Sequence, residues 1–161
     1  MSLRPVTPEL RAELQDLYDD YAETLDDGEL ERWPGLFTEK CRYEVVPREN
    51  FERGLPLALI LCESRGMLED RVAALRRTSM YVPRSVRHLL SHLRASADDD
   101  GSLRVRANYA VLQTRVDALT EILSAGRYLD VVVRDEGRLR FREKRVVFDS
   151  VLVPNSLVYP L

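Results

Sequence analysis

Histidine and cysteine are almost absent from this chain, with two of each in 161 residues. Those counts cannot furnish both a two-Cys, two-His iron–sulfur cluster and a mononuclear iron held by two further His. The cysteines, Cys41 and Cys62, lie in apolar stretches and read as two buried thiols in a reducing compartment rather than a disulfide. Glycine is sparse and scattered, and no phosphate-cradling loop, nucleophile elbow or dinucleotide fingerprint occurs. Long apolar runs are missing as well. The longest, Leu57-Ala58-Leu59-Ile60-Leu61-Cys62, covers six residues, against the roughly 20 that span a bilayer. Met1-Ser2-Leu3-Arg4-Pro5 carries no apolar segment of a secretory signal. Neither sign of charge dominates: 24 Lys and Arg stand against 27 Asp and Glu, for a net charge of −3. That mixture leaves no field for nucleic acid or a membrane surface. The expectation is a cytoplasmic protein with neither as a partner.

What is present fits one domain over residues 1–161, a size that buries roughly 70% of the surface its unfolded chain exposes. Thr7-Pro8-Glu9 reads as an N-cap, a first-turn proline and a first-turn acid. Leu10, Leu14, Leu17, Tyr18, Tyr21 and Leu25 then recur at helical spacing until Asp26-Asp27-Gly28. A short second helix is expected over Glu29–Phe37, bent at Pro34. Strand-like pieces follow at Cys41–Val46 and Leu57–Cys62, separated by a polar loop with Pro47 and Gly54. Gly66–Arg77 returns to helical spacing through Leu68, Val72 and Leu75. Leu103–Val116 alternates, with Val105, Ala107, Tyr109 and Val111 opposite Arg104, Arg106 and Asn108. Leu123–Val133, with Leu129, Val131 and Val133 on one face, and Arg138–Leu152 extend the strand pattern. Helices first and long strands afterwards indicate an α+β domain with helices packed on one sheet face.

Three constellations could carry chemistry. His88 and His92 would share a helix face, and Val86, Leu89, Leu90 and Leu93 follow helical spacing. On a strand the pair would sit roughly 13 Å apart, too far for one ion. A hydrogen-bonded structural histidine is the preferred reading. Arg76, Arg77, Arg84 and Arg87 crowd one stretch. They could hold an anion, but pairing with Glu69 and Asp70, or a subunit contact, is preferred. Tyr18, Tyr21, Asp26 and Trp33 could line a pocket between helix and sheet for acid–base chemistry, although a tyrosine stripe at this spacing ordinarily packs a core.

The chain resembles the small (β) subunits of bacterial aromatic-ring-hydroxylating dioxygenases. The most specific stretch is Met67-Leu68-Glu69-Asp70-Arg71-Val72-Ala73-Ala74-Leu75-Arg76, followed by Arg84-Ser85-Val86-Arg87-His88. Glu31-Arg32-Trp33-Pro34-Gly35-Leu36-Phe37-Thr38, Gly126-Arg127-Tyr128-Leu129-Asp130 and Leu139-Arg140-Phe141-Arg142-Glu143-Lys144-Arg145 support it in order and spacing. Trp33-Pro34 and the Glu49-Asn50 to Gly54 loop look most like the subgroup acting on aromatic acids such as terephthalate, anthranilate or salicylate.

The resemblance implies a cone-shaped curved antiparallel sheet with N-terminal helices packed in its concave face, the nuclear-transport-factor-2-like fold. It makes Val86–Ala97 a strand, which separates the two histidines. It implies a non-catalytic subunit of an oxidoreductase, with no cofactor, metal or catalytic residue on this chain. The Rieske 2Fe–2S cluster and mononuclear iron belong to a partner large (α) subunit, in an α3β3 hexamer built on a homotrimer of this chain. A ferredoxin or reductase is an indirect electron-transfer partner. Trp33, Arg71, Arg84, Arg87, His88, Tyr128 and Arg145 become structural or interface candidates, with Arg71, Arg87 and His88 in one polar network. The apolar end, Asn155-Ser156-Leu157-Val158-Tyr159-Pro160-Leu161, is expected to dock on a neighbouring subunit. The competing expectation is a stand-alone cone-fold dehydratase or isomerase using a Tyr/Asp/His pocket.

Overall fold

The computed structural model describes residues 4–78, 83–152 and 159–161. After a two-residue strand β1 (Arg4–Pro5), the Thr7 hydroxyl accepts from the Leu10 N–H and opens helix α1 (Pro8–Asp26). Pro8 sits where its missing N–H costs nothing. Leu14, Leu17, Tyr18, Tyr21 and Leu25 form the buried stripe of α1, and burying each large apolar side chain contributes about 1.5–3 kcal/mol.

The second helix expected over Glu29–Phe37 contracts to a 3₁₀ turn, Trp33–Leu36. Pro34 cannot donate to the Leu30 carbonyl and its ring blocks the preceding turn, so helix cannot propagate through it. Strand β2 (Phe37–Pro47) is longer than its apolar pattern indicated, and the loop after it contains helix α2 (Arg48–Glu52). Strand β3 keeps only Ile60–Cys62 of the expected Leu57–Cys62. Helix α3 (Arg65–Arg77) starts at Ser64, whose hydroxyl accepts from the Met67 N–H. Four long strands complete the chain: β4 (Arg84–Ala97), β5 (Leu103–Arg115), β6 (Glu121–Asp135) and β7 (Arg138–Phe148).

The sheet order is β1-β4-β5-β6-β7-β2-β3. It curves around α1 without closing, as a cone. The expected antiparallel arrangement holds for every pair except β2 and β7, which run parallel. That exception follows from the chain path: β2 and β7 are far apart in sequence, so no tight turn dictates their direction.

Val86–Ala97 is strand, as the resemblance implies and against its helical spacing. Val86 and His88 point inward, then the register shifts between Ser91 and Arg94, with His92 at a φ of 56°. This bulge inserts one residue and turns Leu93 inward. Inward positions at 86, 88, 90 and 93 therefore imitate helical periodicity. On β6, Leu129, Val131 and Val133 do share a face, but it is the outer one; Tyr128, Asp130 and Val132 face the core. One continuous cluster of buried side chains joins α1, the 3₁₀ turn, α3 and the inner faces of β2–β7.

Candidate functional site

The chemistry-bearing groups converge inside the cone. Asp130 on β6 and Lys144 on β7 are register partners, and both side chains point inward. Their ion pair measures 2.9 Å with no exposure of either side chain. The Tyr18 hydroxyl donates to the same Asp130 oxygen. The rings of Tyr128, Tyr21, Phe141 and Tyr18 surround the Lys144 ammonium at 3.6, 4.4, 4.5 and 4.8 Å from their centroids. Ring quadrupoles attract a cation most strongly when water is excluded.

Burial opposes charge throughout this site. It pushes the Asp130 carboxyl up and the Lys144 ammonium down, each against the pull of the other. It also pushes the Tyr18, Tyr21 and Tyr128 phenols well above their ordinary value, and Tyr43 up to about 12. These phenols are therefore protonated at neutral pH and do not serve as bases; the Tyr18 hydroxyl donates to Asp130, and those of Tyr21 and Tyr43 donate to the Leu161 main-chain oxygen.

A second polar unit ties helix to sheet. Asp26, at the last turn of α1, accepts from the His88 backbone N–H at 3.0 Å and meets His88 Nδ1 at 2.6 Å. His88 packs edge-on to Tyr21, with ring centroids 6.4 Å apart. His92 is exposed and contacts Ser91 and Asn108, so the histidines share no ligand. Among the described residues, no three His, Cys, Asp or Glu side chains stand close enough to hold a metal ion.

The other expected residues are dispersed. Trp33 is fully buried, edge-to-face with Tyr43 at 5.0 Å and Phe37 at 5.7 Å. Tyr128 stacks on Tyr109 at 4.6 Å. Arg71 is half-buried on α3, and its charge draws the Tyr43 phenol and Cys62 thiol downward against burial. Arg87 is exposed on the opposite face of β4 from His88, because neighbouring strand residues point to opposite sides. Strand geometry therefore separates Arg87 from His88 within this chain, so these two neighbours in sequence do not share one network. Arg84 donates to Gln113 at 2.9 Å. Arg145 pairs with Glu44 on the outer face, with Phe51 5.6 Å away. Arg76 grips Glu31 through two nitrogens rather than Glu69, which lies two helical turns back along α3, about 10 Å of rise. Both cysteines are buried free thiols.

Sequence reasoning missed Lys144, Asp130 and Leu161. The first two stand within charged strings that read as solvated. Their signal is register: an acid and a base at inward positions of adjoining strands. The expected docking of the chain end on a neighbour is corrected for Tyr159–Leu161, since Pro160 and Leu161 are buried in this chain's own cone. Apolar residues prefer the nearest dry cavity. Residues 155–158 of that stretch lie outside the described residues. No helix among the described residues is long and apolar enough to cross a membrane.

The comparisons with known proteins agree with this geometry. The family model "Ring hydroxylating beta subunit" matches residues 21–155. The chain is 41% identical over 149 residues to the anthranilate 1,2-dioxygenase small subunit of Burkholderia cepacia, covering 92% of each chain. It is 32% identical over 141 residues to a β subunit of the terephthalate 1,2-dioxygenase terminal oxygenase component of Comamonas, covering 88% of this chain and 92% of that one. A crystal structure assigned as a dioxygenase β subunit, from Novosphingobium aromaticivorans, superposes with a TM-score of 0.86 at 35% identity, covering 95% of this chain and 97% of that one. The chain belongs to the family of ring-hydroxylating dioxygenase β subunits, with the nuclear-transport-factor-2-like cone fold.

Proposed function

We propose that this chain is the non-catalytic scaffold of its dioxygenase. It assembles as three copies with three large subunits that carry the Rieske cluster and the mononuclear iron, fed indirectly by a ferredoxin or reductase. The observation that carries this reading is the filled cone. Where a cone-fold enzyme needs room for a substrate, this chain places its own Lys144–Asp130 pair, four aromatic rings and Leu161. Likeness to the anthranilate and terephthalate small subunits supports an aromatic acid as substrate of the complex, and the cytoplasm is its proposed site of action.

Exposed apolar surface supports assembly. Leu55, Leu57, Leu59 and Leu61 are all exposed along the sheet edge at β3, and Val116, Leu119 and Ile122 at the β5–β6 hairpin. Clusters of this kind mark protein contacts. Arg84, Arg87 and Arg145 are the proposed polar interface residues, while Trp33, Arg71, His88 and Tyr128 hold the fold that presents them.

Co-expression with a large subunit bearing Cys-x-His and Cys-x-x-His motifs tests the reading. Light scattering after size exclusion should give the mass of a hexamer. Persistent separation of the two chains overturns it, as does turnover of a small substrate by this chain alone that is lost in Asp26→Asn with the fold intact.

A further inference from the structure

Leu161 is held inside the cone as a ligand is held. Its side chain is 1% exposed. Its N–H donates to the Tyr43 hydroxyl at 3.0 Å, and its main-chain oxygen accepts from the Tyr21 hydroxyl at 2.5 Å and from the Tyr43 hydroxyl at 3.4 Å. Tyr21 and Tyr43 lie on α1 and β2 and are fully buried. At the rim, the Tyr159 hydroxyl donates to the Leu25 carbonyl at 3.2 Å. A cavity of about 220 Å³ adjoins it, lined in part by Asp26, Arg84 and Tyr159. Asp26 leads inward from that cavity to His88, whose Nε2 is buried with no hydrogen-bond partner among the described residues.

Ordinary tail packing does not need this arrangement. An apolar end could lie on an apolar surface; here two buried phenols converge on the main chain of one residue. A buried donor without an acceptor is costly, so whatever fills the space must bring a carbonyl-type acceptor. It must also bring an N–H aimed at the Tyr43 oxygen and an apolar body of leucine size. Those are the features of a peptide main chain with one apolar side chain.

We propose that the cone of this protein is a peptide-binding pocket, occupied in cis by Tyr159–Leu161, that takes the same sequence in trans once the tail is expelled. Its specificity lies in the paired hydroxyls of Tyr21 and Tyr43 for the main chain and in the dry floor for a branched side chain.

Leu161→Glu in the full chain tests this, because a carboxylate in the dry floor drives the tail out. Acetyl-Tyr-Pro-Leu should raise the lowered Tm of this variant saturably, and acetyl-Tyr-Pro-Glu should not. The unsubstituted chain should bind the peptide at least roughly ten-fold more weakly, because its own tail competes at high effective concentration. Adding Tyr21→Phe to Leu161→Glu should weaken peptide binding roughly five-fold, the worth of one hydrogen bond. Leu161→Ala, a milder expulsion, is measured in the same way and decides the matter if Leu161→Glu does not fold. Absence of saturable binding to the variant, or equal binding to the variant and the unsubstituted chain, overturns the proposal.

Discussion

Lys144 and Asp130 face each other across β6 and β7 at 2.9 Å, and water reaches neither side chain. The pair sits at the centre of the cone, under Tyr18, Tyr21, Tyr128 and Phe141. It explains why an interior lined by so many polar residues is nonetheless a structural core.

Removing one partner should be far worse than neutralising both. Lys144→Ala leaves the Asp130 carboxylate buried without its cation, at a cost of about 3–5 kcal/mol. Lys144→Met combined with Asp130→Asn removes both charges and keeps an acceptor for the Tyr18 hydroxyl. Chemical denaturation should show the double variant more stable than either single one. A double variant as unstable as the sum of the singles would contradict this account of the pair.

Gly126 is required by close approach, not by backbone angle. A Cβ at this position of β6 would fall 2.0 Å from the Val147 carbonyl oxygen and 2.8 Å from the Phe148 Cα, both on the rigid main chain of the neighbouring strand. Gly126→Ala should therefore force β6 and β7 apart and lower stability by about 1–3 kcal/mol or more. Gly35→Ala supplies no comparable clash, since nothing lies within 4 Å of its Cβ position. Thermal melts of Gly126→Ala matching those of the unsubstituted chain would contradict the assigned strand pairing.

Much of the fold was legible where one periodicity acts alone. α1, α3 and β5 each expose a single repeat, bounded by caps or turns, and their ends fall within a few residues of the pattern. β4 was not legible from its own residues, because the bulge at His92 breaks the two-residue repeat and leaves a helical imitation. The family motif, which carries long-range information, corrected it. The interior was harder still. Lys144 lies in a run of charges, and only the pairing of β6 with β7 shows that it points inward opposite Asp130. Arg87 and His88 are adjacent in the motif, yet strand geometry sends them to opposite faces.

Acid should titrate one surface anchor of α3 at an unusual pH. The Arg76 guanidinium, hydrogen-bonded to Glu31 at 2.7 and 2.9 Å, holds that carboxyl down from 4.5 to about 2. A carboxyl lowered by folding stabilises the folded state above its unfolded value and loses that contribution as pH falls through its folded one. The stability deficit of Glu31→Gln at neutral pH should accordingly shrink between pH 4.5 and about 2. Carbon-detected NMR titration of Glu31 should give a midpoint near 2. A midpoint at the ordinary glutamate value would show that the Arg76 contact does not persist in solution.

The cysteines should be inert while the chain is folded. Burial pushes the Cys41 thiol up to about 11 and raises that of Cys62 as well, so the reactive thiolate is scarce at neutral pH. Alkylation followed by mass spectrometry should modify neither residue until denaturant is added, then both quickly. Rapid labelling of the native chain would place at least one thiol outside the core described here.

The central claim is a division of labour, with this chain as scaffold and its partner as the iron-bearing subunit. Native mass spectrometry of the co-purified complex measures both halves at once. The account expects equal numbers of small and large chains in the intact assembly, and a released small chain at 18.6 kDa without metal. A small chain that leaves the complex carrying iron, or that never enters the complex, would contradict it.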